Sequence, residues 1–194
     1  MTGQRSPTGL ISRRKMLSIA ATGGVVALAG CLGDEDVPDP VSLDQGQSCD
    51  QCNMQIEMHP GPVGQAYYLD DPPVDLPERE DGLAHFCSSW CTYIYTLERE
   101  SEAEPAGIYT TDYSAVEFSL SEDGGVTVIS AHLEADAFED AAELTYVVDS
   151  DVEGAMGASL IGFSDSSDAE AFAEEHDGML IDHDDVTLEV VASL

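Results

Sequence analysis

The chain has 194 residues, with six Lys or Arg against 39 Asp or Glu and a formal charge of −33. Every acid follows Gly30, and without residues 1–30 the only bases are Arg79 and Arg99, a formal charge of −37. A field of that sign repels phosphate backbones and excludes nucleic acid as a partner. Hydrophobic residues make up 43% and are spread along the chain, so a folded acidic protein is expected rather than a disordered one. A lysine-free acidic surface suits high salt, where repulsion is screened within a few ångströms, and points to a halophilic source.

The first segment reads as an address. Ser12-Arg13-Arg14-Lys15 sets a twin arginine before the uncharged stretch Met16–Gly30, which is too short and too rich in Gly and Ala for a spanning helix. This is the pattern of a Tat export signal. Leu28-Ala29-Gly30-Cys31 follows as a lipobox, so cleavage after Gly30 and lipidation of Cys31 are expected. The chain is then anchored on the outer face of the cell membrane. Residues 31–48 hold two prolines, five acids and little apolar content, and are expected to be a flexible linker.

The folded part is expected over 49–194. Cys49–Gly64 is crowded with sulfur and turn residues, and Gln65–Leu69 reads as a strand. After an acidic loop to Gly82, Phe86, Trp90, Tyr93, Ile94 and Leu97 recur at helical spacing and predict a helix over 86–99. Ile108–Thr110 returns as a strand. Val116–Leu120 and Val126–Ile129 flank Glu122-Asp123-Gly124-Gly125, a hairpin signal. Leu144–Val148 and Leu160–Phe163 read as strands around Gly154-Ala155-Met156-Gly157. Ser167 and Glu170 form a capping box for a second helix, whose apolar face includes His176 as a packed core residue. Gly178 sits where a helix end wants positive φ, and Met179–Ile181 is the return strand. In each half a Gly-x-x-Gly turn precedes strand, helix and strand. The expected class is α+β, with two small related strand–helix–strand units, roughly 49–113 and 142–186, and a hairpin between them.

The chemistry lies in the sulfur. Cys49, Cys52, Cys87 and Cys91 follow Cys31, with Met54, Met58 and His59 close to the first pair. Outside the cell four thiols read first as two disulfides. Cys52-Asn53-Met54, if extended, puts thiolate and thioether on one face, and these soft donors select Cu(I), with His59 as a further donor. Met156, in a tight turn, is unexpected there unless used. Cys87 and Cys91 at i,i+4 share one helix face, and with Cys49-x-x-Cys52 they make a four-thiolate pattern for zinc or copper. A thiol-redox module remains a third reading. His85 precedes the cysteine pair and is a weaker candidate. His132, His176 and His183 have no ligand spacing, and no nucleophile–base constellation supports an enzyme.

Cys52-Asn53-Met54-Gln55-Ile56 with His59-Pro60-Gly61-Pro62 and Gln65 resembles the N-terminal signature of the NosL family. Gly154–Ala158, Phe163-Ser164-Asp165 and the run from Ala169 to Gly178 resemble its C-terminal signature. The resemblance implies a lipid-anchored Cu(I) chaperone, not an enzyme, that delivers copper for nitrous-oxide reductase maturation with an ABC-transporter-type accessory complex. It implies Cys52, Met54 and Met156 as Cu(I) ligands, with His59 as a further candidate. Cys49, Cys87 and Cys91 depart from the family pattern and stand as additional metal ligands or disulfide partners. Copper trafficking to another acceptor, or zinc in place of copper, is the alternative that these helical cysteines raise.

Overall fold

Strand-forming runs in this chain are short and separated by Gly, Asp and Pro, so its sheets are small and held by packing rather than by length. The computed structural model describes residues 37–79 and 82–194; the export signal and Cys31 lie outside the described residues. The first unit is β1 (Gly64–Tyr67), β2 (Leu83–Phe86), α1 (Ser89–Arg99) and β3 (Gly107–Thr111). β1 lies in the centre with β2 and β3 antiparallel on either side, and β6 (Phe138–Asp140) extends the edge at β3. The second unit repeats this order with β7 (Thr145–Val148), β10 (Ile161–Phe163), α2 (Ser166–Glu175) and β11 (Met179–Asp182), and β7 is again central.

The repeat is therefore present, but in another alignment than the Gly-x-x-Gly turns suggest. Gly61–Gly64 leads into the central strand β1. Gly154–Gly157 instead belongs to an inserted hairpin, β8 (Val152–Gly154) and β9 (Gly157–Ala158), between β7 and β10. β8 runs parallel to β5 (Val126–Ile129), which pairs with β4 (Leu120–Asp123) to complete a third sheet. The β4–β5 turn is two residues, not four. Gly124 and Gly125 both take positive φ (62° and 99°), the geometry that matches strand twist, so Asp123 pairs with Val126 and Leu120 with Ile129. Val116 and Phe118 thereby leave the predicted strand and pack on the core around Tyr113 and Phe163.

α1 lies between the two units. One face sends Cys91 and Tyr95 into the core beneath β1 and β2, and another sends Tyr93 and Ile94 against Tyr146 and Val148 of β7. Alternation along β7 turns Val147 to the opposite face, where α2 contributes Ala169 and Phe172. A final helix, α3 (Leu188–Ser193), buries Val191 beside α1.

Three local expectations change. α2 is capped by Asp165, whose carboxylate accepts from Ser167 N, so no Ser167–Glu170 box forms. The left-handed residue after α2 is Asp177 (φ 54°); Gly178 is needed because a Cβ there would meet Val147 Cγ1 at 2.3 Å. His176 is half-buried rather than in the core, stacked on Phe172 and 3.0 Å from Asp151 Oδ1.

The spacer expected to 48 is also not free in its second part. The Gln65 side chain, buried in β1, bonds the backbone N–H and C=O of Val41 (3.0 Å each), Tyr67 donates to the Asp39 carbonyl, and Leu43 is fully buried. No helix among the described residues is long and apolar enough to cross a membrane.

Candidate metal centre

The four cysteines come from two backbone devices. The first is a reverse turn. Asn53 N donates to the Cys49 carbonyl and Cys49 N to the Met54 carbonyl (2.8 Å each), and a Ser48–Gln55 bridge closes the loop. Asn53 takes the left-handed conformation (φ 62°), which Asn tolerates better than most residues. Cys52-Asn53-Met54 is thus not the extended tripeptide expected, and alternation does not put thiol and thioether on one face.

Asp50 fixes this turn to β2. Its N–H donates to the His85 carbonyl, and its carboxylate accepts from His85 N (2.7 Å) and from both terminal nitrogens of Arg79 (2.8 Å each). Such a bidentate pair sets direction as well as distance. Its sequence signal is arithmetic: among 39 acids, Arg79 and Arg99 are the two bases after residue 30, and each pairs with an acid.

The second device is the start of α1. The helix begins at Ser89, so Cys87 precedes the cap and only Cys91 is helical. Ser88 Oγ caps the helix by accepting from Cys91 N (3.0 Å). Ser89 Oγ donates to the Leu160 carbonyl and accepts from Leu160 N, which fastens this helix start to the second unit. The two thiols therefore meet across a capped N-terminus.

All four Sγ atoms lie within 4.8 Å of one another. Cys52 Sγ is 3.4 Å from Cys87 Sγ, which is 3.8 Å from Cys91 Sγ. None of the four is disulfide-bonded. Cys49, Cys87 and Cys91 are buried, and Cys52 is half-buried at the edge. Hydrogen bonds from Cys87 and Cys91 hold Cys49 far below the usual thiol range. The same contacts with Cys49, with burial behind them, push Cys87 and Cys91 up. Four thiolates this close together repel one another and need a cation between them.

The remaining predicted donors are placed differently. Met54 is half-buried on the same core as Cys49, Cys87 and Cys91. Met156 is 39% exposed at the tip of the β8–β9 hairpin. Its neighbour Ala155 packs on that core, and a Cβ on Gly154 would meet the Gly61 carbonyl at 2.6 Å. The Met156 turn is therefore set against the segment that follows Met54. His59 is half-buried on that segment but outside the four-sulfur group. His85 lines a cleft of about 450 Å³ with Cys49, Asp50 and Arg79, also outside the group. His132 and His183 share hydrogen bonds with Ser130 and Tyr93. No helix opens at Cys49-x-x-Cys52, so the dipole that activates a redox CxxC thiol is missing there.

Comparison with known proteins gives the family of the chain. The NosL family model matches residues 40–191. The copper-binding lipoprotein NosL of Stutzerimonas stutzeri is 30% identical over 162 residues, covering 82% of this chain and 73% of that protein. The crystal structure of the copper chaperone NosL from Shewanella denitrificans superposes with a TM-score of 0.59 at 26% identity, over 78% of this chain and 98% of that one. Sequence signatures, the family match over most of the chain and the shared fold converge, and the chain belongs to the NosL family.

Proposed function

We propose that this protein is a Cu(I) carrier tethered to the outer face of the cell membrane, which takes up copper at Cys52 with Met54 and Met156 and releases it by ligand exchange. The observation that carries this reading is the position of Cys52. It is the half-exposed thiol of the sulfur group, with Met54 on its own turn and, on the same core, Ala155 beside Met156 in a hairpin that meets the chain at Gly61. Thiolate and thioether donors prefer monovalent copper to hard cations, and His59 is the further donor within this stretch. The names of both relatives, a copper-binding lipoprotein and a copper chaperone, support the cargo.

Release follows from the same exposure. A ligand of the acceptor enters at the open side of Cys52, copper is briefly shared, and the weaker thioethers leave first. The acceptor in this reading is nitrous-oxide reductase, served together with an ABC-transporter-type accessory complex. Tat export and lipidation at Cys31 would hold carrier and acceptor at one membrane, raising their effective concentration; stable anchoring takes two acyl chains or a second signal. The −37 charge left after residue 30 suits a salt-rich exterior.

The test is anaerobic competition of the reduced, full-length chain with a chromogenic Cu(I) chelator. Binding of one Cu(I) that Met156→Ala weakens supports the reading. A Met156→Ala protein that holds copper as tightly as the wild type removes that ligand from the site.

A further inference from the structure

Three sulfurs are left over by copper uptake at Cys52. Cys49, Cys87 and Cys91 are 2%, 0% and 0% exposed, all less open than Cys52. A buried cysteine is often small apolar filler, but filler does not converge. Here every Sγ lies within 4.8 Å of the other three. The positions are set by backbone and not by sulfur packing: two lie on the turn clipped by Asp50 and Arg79, and two flank the Ser88 cap.

Four sulfurs held tetrahedrally at about 2.3 Å from one ion stand about 3.8 Å apart; Cys87 and Cys91 have that separation, 3.8 Å, and Cys52 and Cys87 are slightly closer at 3.4 Å. The group is too tight to enclose a multi-iron cluster. Charge selects the ion further. Four thiolates carry four negative charges, and the nearby base, Arg79, is already engaged by Asp50. A divalent ion leaves less charge buried than a monovalent one.

We infer that Cys49, Cys52, Cys87 and Cys91 form a second metal centre, a closed four-thiolate site for a divalent zinc-type cation, with Cys52 as the ligand it has in common with the copper site. The ion is resident and joins the 49–53 turn to the start of α1. All four sulfurs bind as thiolates, and the protons that the group still carries are released to solvent. This centre stands whether or not copper is the cargo.

The test uses the full-length chain in detergent, reduced and anaerobic, with cobalt(II) and then zinc(II) as probes. One cobalt per chain should appear with intense tetrahedral ligand-field bands and sulfur-to-cobalt charge transfer, and one zinc should displace it. X-ray absorption of the zinc-loaded wild type should give four sulfur neighbours at about 2.3 Å, a readout that needs no variant to fold. Cys49→Ser and Cys91→Ser should each weaken cobalt binding at least about 100-fold. Met156→Ala should keep the cobalt spectrum while losing Cu(I) affinity, which separates the two sites. A nitrogen or oxygen neighbour in place of a sulfur, Cu(I) filling the group to the exclusion of zinc, or two disulfides in the exported chain would each overturn the assignment.

Discussion

Cys52 Sγ lies 3.4 Å from Cys87 Sγ, although 35 residues separate them. One sulfur stands on a half-exposed turn and the other is buried before a helix cap. Cys52 is thus the most exposed of the four thiols, and its loss should be felt by both metals. Cys52→Ser is expected to lower Cu(I) affinity at least about tenfold and to remove the four-sulfur cobalt spectrum. Chelator competition and cobalt absorption, run on one preparation, check the two halves of this prediction.

Asp50 holds the cysteine turn without touching a metal. Asp50→Ala removes the carboxylate to which His85 N and both terminal nitrogens of Arg79 donate, leaving Arg79 its bond to the Leu83 carbonyl. A loss of about 2 kcal/mol is expected, reduced from the sum of the bonds because Arg79 is partly exposed. Urea unfolding of the chelator-treated protein measures it, and Asp50→Asn should fall between the two.

Acid should empty the four-thiolate site steeply. Cys87 and Cys91 are pushed above the ordinary thiol range by their contact with Cys49 and by burial, so both are protonated near neutral pH and both must lose a proton to bind. Cys49, held low, has no proton left to give. Affinity therefore rises with pH below the raised values, by about two decades per unit for these two thiols. Zinc competition between pH 6 and 8, a window of about two units on the acid side of the free thiol pKa, reads that slope.

The join between the units should be sensitive to one carboxylate. Asp112, after β3, accepts from Ser164 N (2.9 Å) and Ser164 Oγ (2.6 Å) after β10, and from Ser114 N (2.9 Å). Asp112→Ala should cost about 3 kcal/mol because three donors lose a buried charged acceptor. Thermal unfolding with and without the change is the measurement.

Tyr68 should respond in the opposite direction. Among the described residues its hydroxyl is the buried side-chain polar atom without a hydrogen bond, and burial pushes its pKa up. Tyr68→Phe removes an unmade bond and keeps the ring against Tyr95. A gain of about 1 kcal/mol in unfolding free energy is expected.

Much of this was legible locally. The apolar spacing from Trp90 to Leu97 marks α1, and Ile108–Thr110 and Met179–Ile181 lie inside β3 and β11. What escaped depends on distant partners or on single dihedrals. Cys52-Asn53-Met54 looks extended until Asn53 turns left-handed. The helix predicted from Phe86 starts at Ser89 because Phe86 pairs with Gly64 in the sheet, and Ser88 makes the better cap. Residues 39–43 have a linker's composition, yet Gln65 and Leu133 bind their backbone. The CxxC and CxxxC spacings announced a four-sulfur site; which cysteine faces solvent was decided by the turn.

The central claim is that the sulfur edge at Cys52 takes up monovalent copper. The most direct measurement is the Cu(I) dissociation constant of the reduced full-length chain under anaerobic conditions, with Cys52→Ser alongside. The account predicts tight binding of one copper by the wild type and a loss of at least about tenfold in the variant. Equal affinity in the two proteins, or no affinity in either, would contradict it.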